Sequence, residues 1–117
     1  IAANQVYRFK QVNFELGKSD ILPEGFGELD RLVKTLNDFP NMKIQIEGHT
    51  DLAGNPFDNM KLSEQRVLAV KNYLVQKGIS AARILMQAFG STQPLSTNRD
   101  EASQRLNRRV EFRVVGF

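Results

Sequence analysis

Lys43-Ile44-Gln45-Ile46-Glu47-Gly48-His49-Thr50-Asp51 is the stretch whose reading decides the fold. Ile44 and Ile46 fall on one face and Gln45 and Glu47 on the other, which is the alternation of a strand with one buried side. Gly48 closes this strand, and the polar His49-Thr50-Asp51 leaves from its end. From Thr50 to Lys61 the chain gathers Asp51, Gly54, Asn55, Pro56, Asp58 and Asn59, turn formers that predict a structured surface loop. A helix is expected next, from Leu62 or Ser63 to Lys77. Leu62, Val67, Val70, Tyr73 and Leu74 make its inner face, and Gly78 is its left-handed stop.

Outward on the N-terminal side, Pro23 opens a helix whose apolar Phe26, Leu29, Leu32, Val33 and Leu36 recur at three- and four-residue spacing, and Pro40 ends it. Val6 to Phe14 reads as a first strand, followed by the turn Gly17-Lys18-Ser19-Asp20. On the C-terminal side, Ile84 to Phe89 reads as a third strand, Ser91 to Asn98 as loop, Asp100 to Leu106 as a short helix, and Val110-Phe112-Val114 as the inward side of a final strand. The order β-α-β-α-β-(α)-β predicts an α/β two-layer sandwich of the α+β kind, with a mixed sheet of about four strands and helices on one face.

At 117 residues, with 41% hydrophobic and 25% charged residues, the chain has the size and composition of one globular domain, spanning 1–117. Its apolar runs are far shorter than the roughly 18 residues a membrane helix needs. It has no cysteine, hence neither a disulfide nor a thiolate site. A net charge of +3 is too small to imply nucleic-acid binding. The chain opens at Ile1 without an initiator methionine or a signal segment, and is expected to be a mature or excised domain.

His49 and Asp51 invite an acid–base reading, set against a structural histidine that holds the loop. No nucleophile elbow or zinc-protease motif accompanies them. Asp51, Asp58 and Glu64 match no calcium-loop spacing, so no metal site is expected. Arg66 falls in the first turn of a helix capped by Ser63, where the helix dipole disfavours a cation. Such a broken rule marks either a functional residue or a surface arginine paired with Asp58 or Glu64. Arg99, Arg105, Arg108, Arg109 and Arg113 alternate with Asp100, Glu101 and Glu111, as in a solvated face or a set of ion pairs.

Taken in order, Gly48-His49-Thr50-Asp51, Gly54, Asn59, Leu62-Ser63, Arg66, Gly78-Ile79 and Asn107-Arg108-Arg109-Val110-Glu111 resemble the OmpA-like peptidoglycan-binding domain, the family of OmpA C-terminal domains, Pal and MotB. The match extends to Phe14 and Leu22-Pro23 and covers nearly the whole chain. It departs from the family pattern at Asp58, where an aromatic residue is frequent, at Val67, where alanine is frequent, and at Pro56, which stiffens the loop.

The resemblance implies a non-catalytic, cofactor-free periplasmic domain of a larger envelope protein from a diderm bacterium, attached to a membrane only through segments outside this chain. Its partner would be peptidoglycan, gripped at the meso-diaminopimelate residue of the stem peptide. Carried over by position, Asp51 and Arg66 are the main ligand contacts. A zwitterionic side-chain end needs one carboxylate and one guanidinium fork. Thr50, Leu52, Ala53, Asn59, Ser63, Phe14 and Arg108 are secondary: backbone donors near Leu52, Ala53 and Ser63, walls from Phe14 and Leu52, and Arg108 approaching the ligand or bracing the loop. The competing readings are a wall hydrolase using His49 and Asp51, and a protein-interaction module that has lost wall binding. Asp51→Ala or Arg66→Ala is expected to abolish binding and leave the fold intact.

Overall fold

Two strands that begin and end the chain meet at one edge of the sheet, and that pairing sets the architecture. The computed structural model describes residues 3–117, so the expectation about Ile1 lies outside them. In chain order the elements are β1 (Val6–Arg8), α1 (Phe26–Asp38), β2 (Lys43–His49), α2 (Pro56–Gln76), β3 (Ile84–Gly90), α3 (Glu101–Asn107) and β4 (Arg109–Gly116). Short 3-10 turns at Pro23–Gly25 and Ala81–Arg83 precede α1 and β3. The sheet order is β1-β4-β2-β3. β2 and β3 run parallel, joined by α2, while β4 lies antiparallel to both β1 and β2. This is the expected mixed four-stranded α+β sandwich.

The core lies between the helices and one face of the sheet. Leu29, Leu32 and Leu36 of α1 and Val67, Val70 and Leu74 of α2 pack over Ile44, Ile46, Ile84, Val110 and Val114, all essentially removed from water. Each such side chain contributes roughly 1.5 to 3 kcal/mol by burial. The register Ile44↔Val114 and Ile46↔Phe112 puts β2 and β4 residues of one parity inward, as the alternation predicts. Gly78, at φ 99°, follows α2 in the left-handed conformation.

Two boundaries differ from the expectation. The first strand stops at Arg8 instead of Phe14. The backbone N–H groups of Lys10 and Gln11 donate to the Glu28 carboxylate at 2.9 and 2.8 Å, which turns the chain from the sheet toward α1. More consequentially, α2 begins at Pro56, not at Leu62 or Ser63. The Asn55 side chain caps it by accepting from the N–H groups of Phe57 and Asp58, Pro56 supplies the fixed φ of a first turn, and Asp58 complements the positive helix end. Residues read as loop formers, and Pro56 read as a loop stiffener, are the start signals of a helix.

Candidate functional site

β1 and β2 end, and β4 begins, at the same end of the sheet. A cleft of about 460 Å³ opens there, lined by the segment from Arg8 to Phe14, the start of β4, His49, Arg66, Arg105 and Arg108. Parallel β2 delivers Asp51 just beyond its C-terminal end, a usual place for a site in an open sheet.

Arg66 is 4% exposed and sits inside α2, about three turns from its start, so the helix-dipole anomaly expected from the sequence does not exist. It pairs with neither Asp58 nor Glu64. Its Nε and Nη2 donate to the carbonyls of Lys18 and Glu15 at 3.0 and 3.2 Å, and the guanidinium lies 4.9 Å from the centre of the Phe14 ring. Burial lowers its pKa, the Asp51 charge opposes that shift, and Arg108 adds to it. Because Arg66 holds two carbonyls of the Glu15–Lys18 turn, Arg66→Ala removes structural bonds as well as a cation. This variant is therefore expected to cost stability as well as binding.

Asp51 is bound on both oxygens. Oδ1 accepts from the Ala53 N–H at 3.1 Å and Oδ2 from Arg108 Nη1 at 2.9 Å. The second arm of Arg108 reaches Glu101, and contact with that carboxylate, before contact with Asp51, raises the Arg108 pKa. Phe14, Arg66 and Arg108 line the cleft together, and Asp51 joins them through Arg108.

The remaining expected residues frame the loop. Thr50 is buried, and its N–H donates to the Gly90 carbonyl at 2.8 Å. Asn59 donates to the carbonyls of Ala53 and Asp51 at 2.9 and 3.4 Å. The Leu52 N–H donates to Gln104 Oε1 at 2.8 Å, and that of Ala53 is the donor to Asp51, so both expected backbone donors are engaged within the protein. Ser63 lies mid-helix and fully buried; its hydroxyl donates to the Met60 carbonyl and accepts from the Gly90 N–H. A helix-interior N–H belongs to the helix ladder, so Ser63 is not a helix-start donor.

His49 is 2% exposed, stacks on Phe89 and brings Nε2 within 3.1 Å of Glu111 Oε1. That approach is at ion-pair distance but off the line of a well-formed hydrogen bond, and both ring nitrogens are buried without a hydrogen-bond partner among the described residues. Glu47, His49 and Glu111 place ligand-type atoms within 4.8 Å of one another on the outer face of the sheet. Arg113 binds Glu47 at 2.9 Å and Arg109 approaches Glu111 at 3.4 Å, so two guanidiniums already balance the two carboxylates. The arrangement fits a buried ion network better than a metal cage.

Sequence reasoning missed Gln104 and Asn107. Gln104 bridges Leu52 to Asn98, and Asn107, fully buried, accepts from the N–H groups of Leu95 and Ser96 and donates to the Ser96 carbonyl. Two amides on the short α3 thus lock the loops on either side of the site. Asn107 stood in the Asn-Arg-Arg segment, but nothing local to the sequence marks it as buried.

The model of the OmpA family matches residues 13–108. The chain is 40% identical over 100 residues to a peptidoglycan-associated lipoprotein of Pseudomonas aeruginosa, covering 86% of this chain and 59% of that one. It is 35% identical over 111 residues to outer membrane porin F of Pseudomonas fluorescens, covering 94% and 34%. It therefore spans only about a third to three fifths of these relatives. The crystal structure of the peptidoglycan-associated lipoprotein from Burkholderia pseudomallei superposes with a TM-score of 0.78 at 25% identity, covering 96% of this chain and 89% of that one. By the match across residues 13–108 and the identity to these relatives, the chain belongs to the OmpA family.

Proposed function

We propose that the chain is a non-catalytic module that binds peptidoglycan at the meso-diaminopimelate residue of the stem peptide, anchoring the outer membrane or an envelope complex to the wall from the periplasmic side. Relatives named as peptidoglycan-associated lipoproteins and outer-membrane proteins support the coarse part of this reading. The observation that carries the finer part is the fixed pair of opposite charges, Arg66 in the cleft wall and Asp51 behind Arg108 of the same wall. Asp51 is oriented by Ala53 and Arg108, and Arg66 is clamped by two carbonyls with Phe14 against its plane.

A diaminopimelate side chain ends in an ammonium and a carboxylate on one carbon. Asp51 offers the acceptor for the first and Arg66 the donor for the second, its Nη1 lying outside the two carbonyl bonds. Their positions are set before the ligand arrives, which lowers the ordering cost of binding. The enzyme reading has less support, because the imidazole of His49 is enclosed between Phe89 and Glu111.

Co-sedimentation with diaminopimelate-type sacculi tests the proposal. Asp51→Asn keeps an acceptor for the Ala53 N–H and removes the charge. Removing one partner of a desolvated pair costs about 2 to 5 kcal/mol, or roughly thirty- to several-thousand-fold in affinity. Equal pelleting of the variant and the parent chain refutes the assignment, and release of soluble muropeptides would favour the hydrolase.

A further inference from the structure

Six cationic side chains and one carboxylate, Glu24, line the cleft. Three of the cations are held: Arg66 by carbonyls, Arg108 by Asp51 and Glu101, and Arg109 by the Gln93 carbonyl and Glu111. The other three, Arg8, Lys10 and Arg105, are exposed, and among the described residues their side chains have no ion-pair or hydrogen-bond partner. Arg8 ends β1, Lys10 lies in the diverted segment just after it, and Arg105 is on α3, so two distant parts of the chain converge on one opening. The Arg8 charge is close enough to lower the pKa of Arg109, a like-charge repulsion that an anion in the cleft would relieve.

Gripping one zwitterion uses Asp51 and Arg66 and leaves these three cations over. The cleft, at about 460 Å³, is in the size range that encloses a whole small ligand rather than a single head group. A wall stem peptide carries further anions beside diaminopimelate, because a γ-linked D-glutamate keeps its α-carboxylate free. We infer that Arg8, Lys10 and Arg105 form a second subsite that takes this neighbouring carboxylate, so that the domain prefers stem peptides with the free acid over those amidated there. The inference rests on the wall-binding reading above. A carboxamide occupies the same space without the charge, which makes amidation the chemical change this subsite would sense.

Calorimetric titration with L-Ala-γ-D-Glu-meso-diaminopimelate-D-Ala and with its D-isoglutamine counterpart tests this on the unmodified chain. The free acid should bind about five- to tenfold more tightly at low salt, and the gap should narrow at high salt. In the triple variant Arg8→Gln, Lys10→Gln, Arg105→Gln, all at exposed positions and with folding verified by circular dichroism, the two peptides should bind alike. Equal binding of both peptides by the parent chain, or a preference that persists in the triple variant, overturns the inference. If equal binding comes with retention on phosphatidylglycerol vesicles that the triple variant loses, the three cations belong to a membrane-facing surface and the inference is overturned. Asp51→Asn separates the two claims: if it binds both peptides as the parent chain does, the wall-binding reading fails and this one with it.

Discussion

Arg108 ties Asp51 to α3, donating from Nη1 to Asp51 Oδ2 at 2.9 Å while its other arm holds Glu101. The carboxylate proposed for the ligand ammonium is therefore already paired before any ligand arrives, with a guanidinium it shares with Glu101. A carboxylate has about four lone-pair sites, of which Arg108 and the Ala53 N–H use two. About two remain for an ammonium, so under the proposed wall binding Arg108 is expected to fix the carboxylate rather than block it.

Arg108→Gln should weaken binding of a diaminopimelate stem peptide by about three- to tenfold, because Asp51 then rotates among several conformers before each encounter. Arg108→Lys should recover part of the loss, since a lysine keeps the charge but cannot bridge Asp51 and Glu101 in one plane. Calorimetric titration of the two variants checks this. Tighter binding by Arg108→Gln would mean that Arg108 competes with the ligand instead.

Arg66→Lys separates the two roles of that residue. One ammonium cannot reproduce the paired donation to the Lys18 and Glu15 carbonyls together with the stacking on Phe14. The variant should lose about 1 to 3 kcal/mol of stability, the cost of leaving buried acceptors unmet, and should also bind poorly although its charge is kept. Denaturant melts alongside binding assays read both quantities. Unchanged stability would show that the carbonyl bonds add nothing.

Much of this was legible in the sequence because it is periodic. The alternation in Lys43–Gly48 and the three- and four-residue spacing of Leu29, Leu32 and Leu36 placed core residues correctly, and Gly78 ended α2 where expected. The start of α2 was misread because Asn55, Pro56 and Asp58 serve equally in turns and in helix caps, and only tertiary context chooses between them. Arg66 stood out first through a helix-start anomaly that the structure removes, and its pairing with Asp51 as a ligand site came from the ordered family motif. The clustering of Arg8 and Lys10 with Arg105 was hidden, since it depends on β1 pairing with the last strand, about a hundred residues away. Gln104 and Asn107 were hidden for a related reason: buried amides leave no periodic trace.

Acidification should act through Glu111. The close approach of His49 is the first cause holding its pKa below the usual carboxylate value of 4.5, with burial opposing and Arg109 assisting. A depressed folded-state pKa contributes stability that is present above the unfolded value and is lost as pH falls through the folded one. Thermal melts of the parent chain should therefore decline below about pH 4.5, and Glu111→Gln should show a shallower acid decline with a lower plateau at neutral pH. Identical acid limbs would assign the decline to other carboxylates.

Gly48 lies where β2 packs closely against α2. A methyl group added there would come within 2.5 Å of Val67 Cγ2 and 2.9 Å of the Ser63 carbonyl oxygen. The valine can shift, but the backbone carbonyl inside α2 cannot move without the helix. Since α2 also carries Arg66, and β2 leads directly into Asp51, pushing the two apart would separate the opposite charges proposed to grip the ligand. Gly48→Ala should thus lower stability by about 1 to 3 kcal/mol, as overpacking does, and reduce wall binding beyond what the unfolded fraction explains. Gly48→Ala combined with Val67→Ala should recover part of the stability but less of the binding, because the clash with the Ser63 oxygen persists. Differential scanning fluorimetry and sacculus co-sedimentation on both variants decide the matter. Full recovery of both by the double variant would place the whole constraint on the valine and none on the helix backbone.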